Sequence, residues 1–207
     1  NDTEARQLSW GTLLERLVAM MLGDYYDFTP STTHVHPYIP TWVGSRDGLS
    51  KDAETVVDIK CPYTRKSFCG LVQPIYDELE GMDAMNALRN GYTDKNGIAY
   101  PPHCDAEKYY TQIVSNACIS GSKYGELIVY MPYQSEIKAI QHAAEKAITE
   151  GEGQFYFIAS SRPDQLPYIK DGGYYSNLNI IRFEIPLSDK ILLENTVRRA
   201  SELLITI

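Results

Sequence analysis

The heptapeptide Val-Val-Asp-Ile-Lys-Cys-Pro, residues 56–62, decides how the chain is read. Thr55, Val56, Val57 and Ile59 are β-branched, stiff at χ1 and suited to a pleated strand. Pro62 has no N–H to offer a ladder and closes the run. Side chains alternate along a strand, so Asp58 and Lys60 project from one face. An acid and a base side by side on an otherwise apolar strand are solvated, paired with each other, or at work on a third group. Taken alone, Asp-x-Lys most often means a surface ion pair.

Outward toward the N-terminus, Gly44-Ser45-Arg46-Asp47-Gly48-Leu49 reads as the end of one strand followed by a turn. In that turn Gly48 supplies an unusual backbone angle. Three extended segments are expected, His34–Tyr38, Thr41–Ser45 and Thr55–Lys60, the last two joined as a hairpin or meander by the turn residues of Asp47-Gly48 and Ser50-Lys51-Asp52. A connection of that size brings Asp47 within reach of Asp58, eleven residues later. Two carboxylates that close repel unless a proton, a base or a cation compensates them. A hard divalent ion such as Mg²⁺ suits an all-oxygen set of one or two carboxylates and a carbonyl, here that of Ile59. Lys60 would then orient or activate a water, or stabilise charge on a phosphate. The plainer reading of Asp47-Gly48 is a turn and nothing more.

The rest of the chain alternates helical and extended patterns. Leu8, Trp10, Leu13, Leu14, Leu17, Val18 and Met21 recur at three- and four-residue steps, an amphipathic helix that Gly23 ends. Residues 24–34 are polar and turn-rich. A helix is expected near Ile75–Leu88, within an irregular stretch, 65–103, that reads as an insertion. Further helices are expected at Asp105–Ser120, Ser135–Thr149 and Asp189–Leu204, with strands at Glu126–Met131, Gln154–Ser160 and Leu178–Pro186. That order predicts a single α/β domain, residues 1–207, around a central mixed sheet flanked by helices.

Composition narrows the function classes. The net charge of −8 and pI near 5.0 argue against coating nucleic acid through a global field, though a local basic channel is compatible with them. No apolar run reaches bilayer length, so no membrane association is expected. No signal-peptide pattern is present, and the chain opens Asn1-Asp2 without methionine, as a fragment of a larger protein would. Cys61, Cys69, Cys104 and Cys118 form no CxxC pair and no zinc-type spacing, which reads as reduced thiols.

The motif set Gly44-Ser45-Arg46-Asp47-Gly48-Leu49 with Glu54-Thr55-Val56-Val57-Asp58-Ile59-Lys60-Cys61-Pro62-Tyr63-Thr64-Arg65-Lys66-Ser67-Phe68 resembles the core of the PD-(D/E)XK nuclease superfamily. Within it, the nearest likeness is to phage lambda exonuclease and the YqaJ-like viral recombinase exonucleases. Two further pieces fall in the same order: Trp10-Gly11 with Glu15 on the first helix, and Tyr109, Tyr110 and Gln112 on a later helix before an apolar strand. The resemblance covers about Leu8 to Tyr133.

It implies a restriction-endonuclease-like core and phosphodiester hydrolysis by in-line attack of water, dependent on Mg²⁺ with Mn²⁺ as a substitute. Asp47 resembles the central metal ligand, and Asp58 the second, where glutamate is commoner in the family. The Ile59 carbonyl completes the ligand set. Lys60 resembles the catalytic lysine, Glu15 the helix acid that reaches a metal directly or through water, and Gln112 the helix glutamine behind lysine or phosphate. Ser45 is similar to a DNA-phosphate contact. The implied activity is exonucleolytic digestion of double-stranded DNA ends in phage-type recombination. DNA would be the partner, with a homo-oligomer and a single-strand annealing protein as further ones. Such an enzyme works in the cytoplasm, or in the nucleus for a eukaryotic virus. The alternatives are an endonuclease, an alkaline-nuclease-like enzyme on DNA or RNA, and a non-catalytic nucleic-acid-binding module of the same fold. Two departures stand out: the chain begins almost at the Trp10 helix, and the stretch after Arg65 is longer than in lambda exonuclease.

Arg46, Lys51, Arg65 and Lys66 flank these motifs and read either as a basic rim for a phosphate backbone or as ordinary solvated surface. His34 and His36 alternate on a strand, where a half-buried face is the plainer reading than a metal site. His103-Cys104 suggests zinc but lacks partners in the sequence.

Overall fold

A computed structural model describes residues 2–28 and 32–205. Asn1, the 29–31 part of the polar stretch, and residues 206–207 lie outside the described residues. The chain opens with helix α1 (Asp2–Leu22), then strands β1 (Tyr26–Asp27), β2 (His34–Val35), β3 (Val43–Gly44), β4 (Gly48–Ser50) and β5 (Thr55–Lys60). Helices α2 (Arg65–Tyr76) and α3 (Gly81–Asn90), a hairpin of β6 (Tyr92–Thr93) and β7 (Ala99–Tyr100), and helix α4 (Ala106–Ser120) follow. Strand β8 (Tyr124–Tyr130), helices α5 (Ile137–Thr149) and α6 (Tyr156–Ser160), strand β9 (Leu178–Glu184) and helix α7 (Leu187–Ile205) complete the chain. The main sheet is mixed and has the order β1-β4-β5-β8-β9, so the α/β class stands.

Strand burial follows position in that order. Central β5 is buried from Thr55 to Ile59 and central β8 from Gly125 to Tyr130, which is why both read as near-continuous apolar runs. Edge strand β9 alternates, with Asn179, Ile181 and Phe183 buried and Ile180, Arg182 and Glu184 exposed. Inside β8, the buried Glu126 carboxylate is satisfied by the Tyr26 hydroxyl and by Arg182 Nη1 at 3.1 Å. No helix among the described residues is long and apolar enough to cross a membrane, and the four cysteines are free thiols.

Three expectations are corrected. Thr41–Ser45 does not pair with β5: its Val43 and Gly44 pair antiparallel with Val35 and His34. On that side β5 pairs instead with Gly48–Ser50, where Gly48 had read as part of a turn, and the turn itself lies at Lys51–Ala53, overlapping the expected Ser50-Lys51-Asp52. Ser50 Oγ donates to Asp52 Oδ1 (2.5 Å), and the same two side chains satisfy the backbone that leaves the turn, Asp52 Oδ1 accepting from Glu54 N (3.0 Å) and Ser50 Oγ from Thr55 N (2.9 Å).

Gln154–Ser160 is helical rather than extended, because its apolar residues keep a three-residue spacing. Phe155 and Ile158 are buried, whereas Tyr156, which strand alternation would place with Ile158, is 67% exposed. Gln141 Nε2 caps the end of α6, donating to the Ile158 carbonyl (3.1 Å) and the Ser161 carbonyl (2.7 Å). The stretch 65–103 holds two helices and a hairpin; α2 runs through Pro74 in its last turn, which hid it in the sequence.

The chain divides into two compact units. One comprises Asn1–Met21, Ile59–Gln73 and Ile128–Asn179, the other Leu22–Asp58, Pro74–Leu127 and Ile180–Ile207. In the first, α1 buries Trp10, Leu13, Leu14 and Val18 along one stripe. Arg16 clamps that helix by a two-pronged pair with Glu152 (2.7 Å on each arm) and lies over the Phe155 ring at 5.3 Å. In the second, Trp42 donates from Nε1 to Ser115 Oγ (2.9 Å) and packs with Ile39 and Ile119, with α7 supplying Leu193 and Val197.

Candidate active site

The pairing of β4 with β5 aligns the two stretches of chain that carry Asp47 and Asp58. Gly48 lies opposite Val57 and Leu49 opposite Val56, antiparallel. Asp47 is the residue just before β4, and that register carried one step further would set it opposite Asp58. Residues directly opposed in such a pair hold their Cβ atoms about 4.5–5.5 Å apart. Asp58 is 1% exposed and Asp47 half-buried. A buried carboxylate facing a second carboxylate on the next strand needs positive charge or a shared proton close by. The donor chemistry, oxygen only, fits a hard divalent cation.

The segment carrying Asp47 is held by α4. Asn116, buried on that helix, donates from Nδ2 to the Ser45 carbonyl (3.1 Å). A Cβ on Gly44 would lie 2.6 Å from Asn116 Oδ1 and 2.9 Å from Ile119 Cδ1, so only glycine lets the strand come this close. Gln112 sits half-buried on α4, one turn before Asn116. Sequence reasoning missed Asn116. Its signal was present: a lone amide among the buried apolar positions Ile113, Val114 and Ala117.

Gly48 serves a different need from the expected one. It lies in β4 without a left-handed backbone angle, and a Cβ there would lie 2.7 Å from Phe28 Cδ1. Space for the Phe28 ring, rather than a turn, calls for the glycine.

The other unit holds Glu15 and Lys60. Glu15 is half-buried on α1, and its Oε1 lies over Gly11, 3.8 Å from where a Cβ would stand. Trp10 on the same helix meets Tyr63 edge to face, ring centroids 6.1 Å apart. That contact joins the helix of Glu15 to the segment that follows Lys60. Tyr63 also meets Phe157 at 6.4 Å. Thr64 then caps α2, its Oγ1 accepting from Ser67 N at 3.2 Å. Cys61 is buried, and Lys60 is half-buried at the end of β5.

The basic residues divide between the units. Arg65 and Lys66 are exposed in the first turn of α2; Ser45 and Lys51 are exposed and Arg46 half-buried in the other unit. Burial holds the Arg46 guanidinium below its usual range, and burial followed by the nearby Arg46 charge lowers the His34 imidazole. His36 stacks flat on Trp42, 4.7 Å between centroids and 4° between planes, and its Nδ1 accepts from Tyr38 N at 3.2 Å. It is a packed histidine.

A cavity of about 290 Å³ between α4 and α7 is lined by Arg89, Tyr110, Val114, Asp189 and Leu193. Its polar groups are engaged with one another, Arg89 with Glu107 (2.6 and 3.1 Å) and the Tyr110 hydroxyl with Asp189 (2.5 Å). It contains none of the candidate residues.

No family model matches the chain. Nesprin-2 of Homo sapiens is 26% identical over 125 residues, which is 60% of this chain and 2% of nesprin-2. Among solved structures, an alkaline exonuclease from Laribacter hongkongensis is 18% identical, with a TM-score of 0.39 over 74% of this chain and 72% of that one. A likeness that loose decides no activity.

Proposed function

We propose that this chain is a metal-dependent nuclease of the PD-(D/E)XK type, hydrolysing phosphodiester bonds at the ends of double-stranded DNA. The observation that supports the reading is the β4–β5 register, which carried one residue past Gly48 would set Asp47 opposite the buried Asp58. A structural ion pair does not call for two opposed acids, whereas a divalent cation does. Asp47, Asp58 and the Ile59 carbonyl would hold Mg²⁺ or Mn²⁺, with Glu15 contributing directly or through water. When bound, the cation supplies Lewis acidity and neutralises charge on the phosphate.

The chain's own groups do the rest. Lys60, on the same face of β5 as Asp58, donates to the attacking water or to a phosphate oxygen and holds it in line. Gln112 supports that arrangement from α4. Ser45, Arg46, Arg65 and Lys66 hold the backbone of the nucleic acid through its phosphates. The exonuclease reading rests on the likeness of the Asp47–Thr64 motifs to the lambda and YqaJ-like enzymes.

The test is digestion of 5′-labelled linear duplex beside closed circular DNA, with Mg²⁺ or Mn²⁺. Mononucleotides released from the linear substrate alone are the expected result; nicking or linearising of the circle would make the enzyme an endonuclease. Asp47→Ala and Lys60→Ala should each abolish cutting, because such a site acts as a unit. If neither DNA is cut, or both variants cut like the parent, the nuclease reading fails.

A further inference from the structure

The pair His103-Cys104 gains a partner in the fold. His103, Cys104 and Asp105 form the tight connection into α4, and one donor atom from each lies within 4.8 Å of the other two. The Cys104 thiol donates to Asp105 Oδ2 across 3.4 Å, and His103 Nδ1 accepts from Asp105 N at 3.3 Å. We propose that these three side chains form a second metal site, of Zn²⁺ type, independent of the nuclease reading.

Four features carry this. First, the donors are imidazole nitrogen, thiolate sulfur and carboxylate oxygen, the set that zinc takes and that Mg²⁺ does not. Second, the spacing is close to what a tetrahedral ion requires. With metal–ligand distances of about 2.0–2.3 Å, neighbouring ligand atoms stand roughly 3.3–3.7 Å apart. The sulfur–carboxylate pair is already at 3.4 Å, and the remaining separations, at most 4.8 Å, close by side-chain rotation.

Third, the backbone beneath is fixed from both sides. His103 N donates to the Leu88 carbonyl of α3 (2.8 Å), Ala106 N to the His103 carbonyl (3.1 Å), and Tyr109 N to the Asp105 carbonyl (3.0 Å). Three consecutive ligands on a pinned turn lose little freedom on binding. Fourth, Cys104 is exposed while His103 and Asp105 are half-buried, which leaves the fourth coordination position toward solvent. On binding, the ion replaces the thiol proton shared with Asp105 and the weak N–H contact at His103; the proton leaves to solvent. The consequence is a clamp on the α3–α4 connection.

The whole chain titrated with Co²⁺ tests this, because a thiolate ligand gives a sulfur-to-cobalt charge-transfer band that oxygen-only sites lack. A band saturating at one equivalent is expected, displaced by Zn²⁺ and untouched by excess Mg²⁺. It should vanish in Cys104→Ser and lose its saturation in His103→Ala and in Asp105→Asn. Zn²⁺ should also protect Cys104 of the unaltered chain from alkylation, read by peptide mass spectrometry, which needs no variant to fold. Absence of the band, its survival in Cys104→Ser, or alkylation of Cys104 at the same rate with and without Zn²⁺ would overturn the proposal.

Discussion

Replacing Asp47 by asparagine should stabilise the metal-free protein while destroying its response to cations. With the β4–β5 register carried one residue past Gly48, the Cβ atoms of Asp47 and Asp58 would stand about 5 Å apart. Two unit charges at that distance repel by about 3 kcal/mol at an effective dielectric constant of about 20. Asp47 is half-exposed, and Lys60 projects from the same face of β5 as Asp58, so solvent and the ammonium remove much of this. A net gain of roughly 1 kcal/mol is expected for Asp47→Asn, which keeps shape and hydrogen-bonding capacity. For a chain of 207 residues that corresponds to a Tm about 2–4 °C higher. The assay is thermal unfolding in EDTA and again in Mg²⁺. Parent protein should melt higher with Mg²⁺, by the linkage of binding to folding, and Asp47→Asn should not respond. An Asp47→Asn variant that melts lower than the parent in EDTA, with Mg²⁺ moving both proteins equally, would refute the reasoning.

Gly44→Ala should cost about 1–3 kcal/mol, since its Cβ would meet Asn116 Oδ1 at 2.6 Å. Chemical denaturation of the single and double variants should show Asn116→Ala returning part of that loss, a coupling that independent sites lack. Thr64→Ala removes the cap of α2 and should lower stability by about 1 kcal/mol, read as a shift in the denaturation midpoint. Burial, followed by the smaller opposing effects of Lys190 (lowering) and Glu194 (raising), pushes the Cys118 thiol up to about 11. Its folded value is raised, so its stability contribution is full below the ordinary thiol range and is lost as pH climbs toward 11. Alkylation at pH 8 should accordingly label exposed Cys104 well before Cys118.

The helices α1, α4, α5 and α7 and strand β9 were legible because each keeps one period, and β5 and β8 because each is a short, nearly continuous apolar run. What escaped was local competition. Asp47-Gly48 has turn composition, yet the requirement for space beside Phe28 explains the glycine equally well, and spacing alone cannot separate the two. Gln154–Ser160 mixes aromatic and apolar residues that fit a strand until burial shows Phe155 and Ile158 inward and Tyr156 outward. The role of Asn116 depends on a contact with Ser45, seventy-one residues earlier, which no local pattern encodes. At 103–105 the adjacency of Asp105 carried no signal of its own, and its carboxylate counts as a third ligand only because the turn brings it to the thiol.

The β4–β5 hairpin also determines where the gene can gain or lose codons. Asp47 stands three residues before Ser50 and Asp58 three residues after Thr55, the two arms being equal in length. A codon inserted in either arm shifts one acid past the other and turns it to the opposite face. A matched codon in both arms restores the opposition but also flips it, and only a pair of codons in each arm restores the face as well. Residues 51–54 lie outside both arms, so length changes there leave the count of residues along each arm unchanged. The hairpin thus counts residues, and its tolerance of insertions should be periodic along the arms and relaxed at the tip.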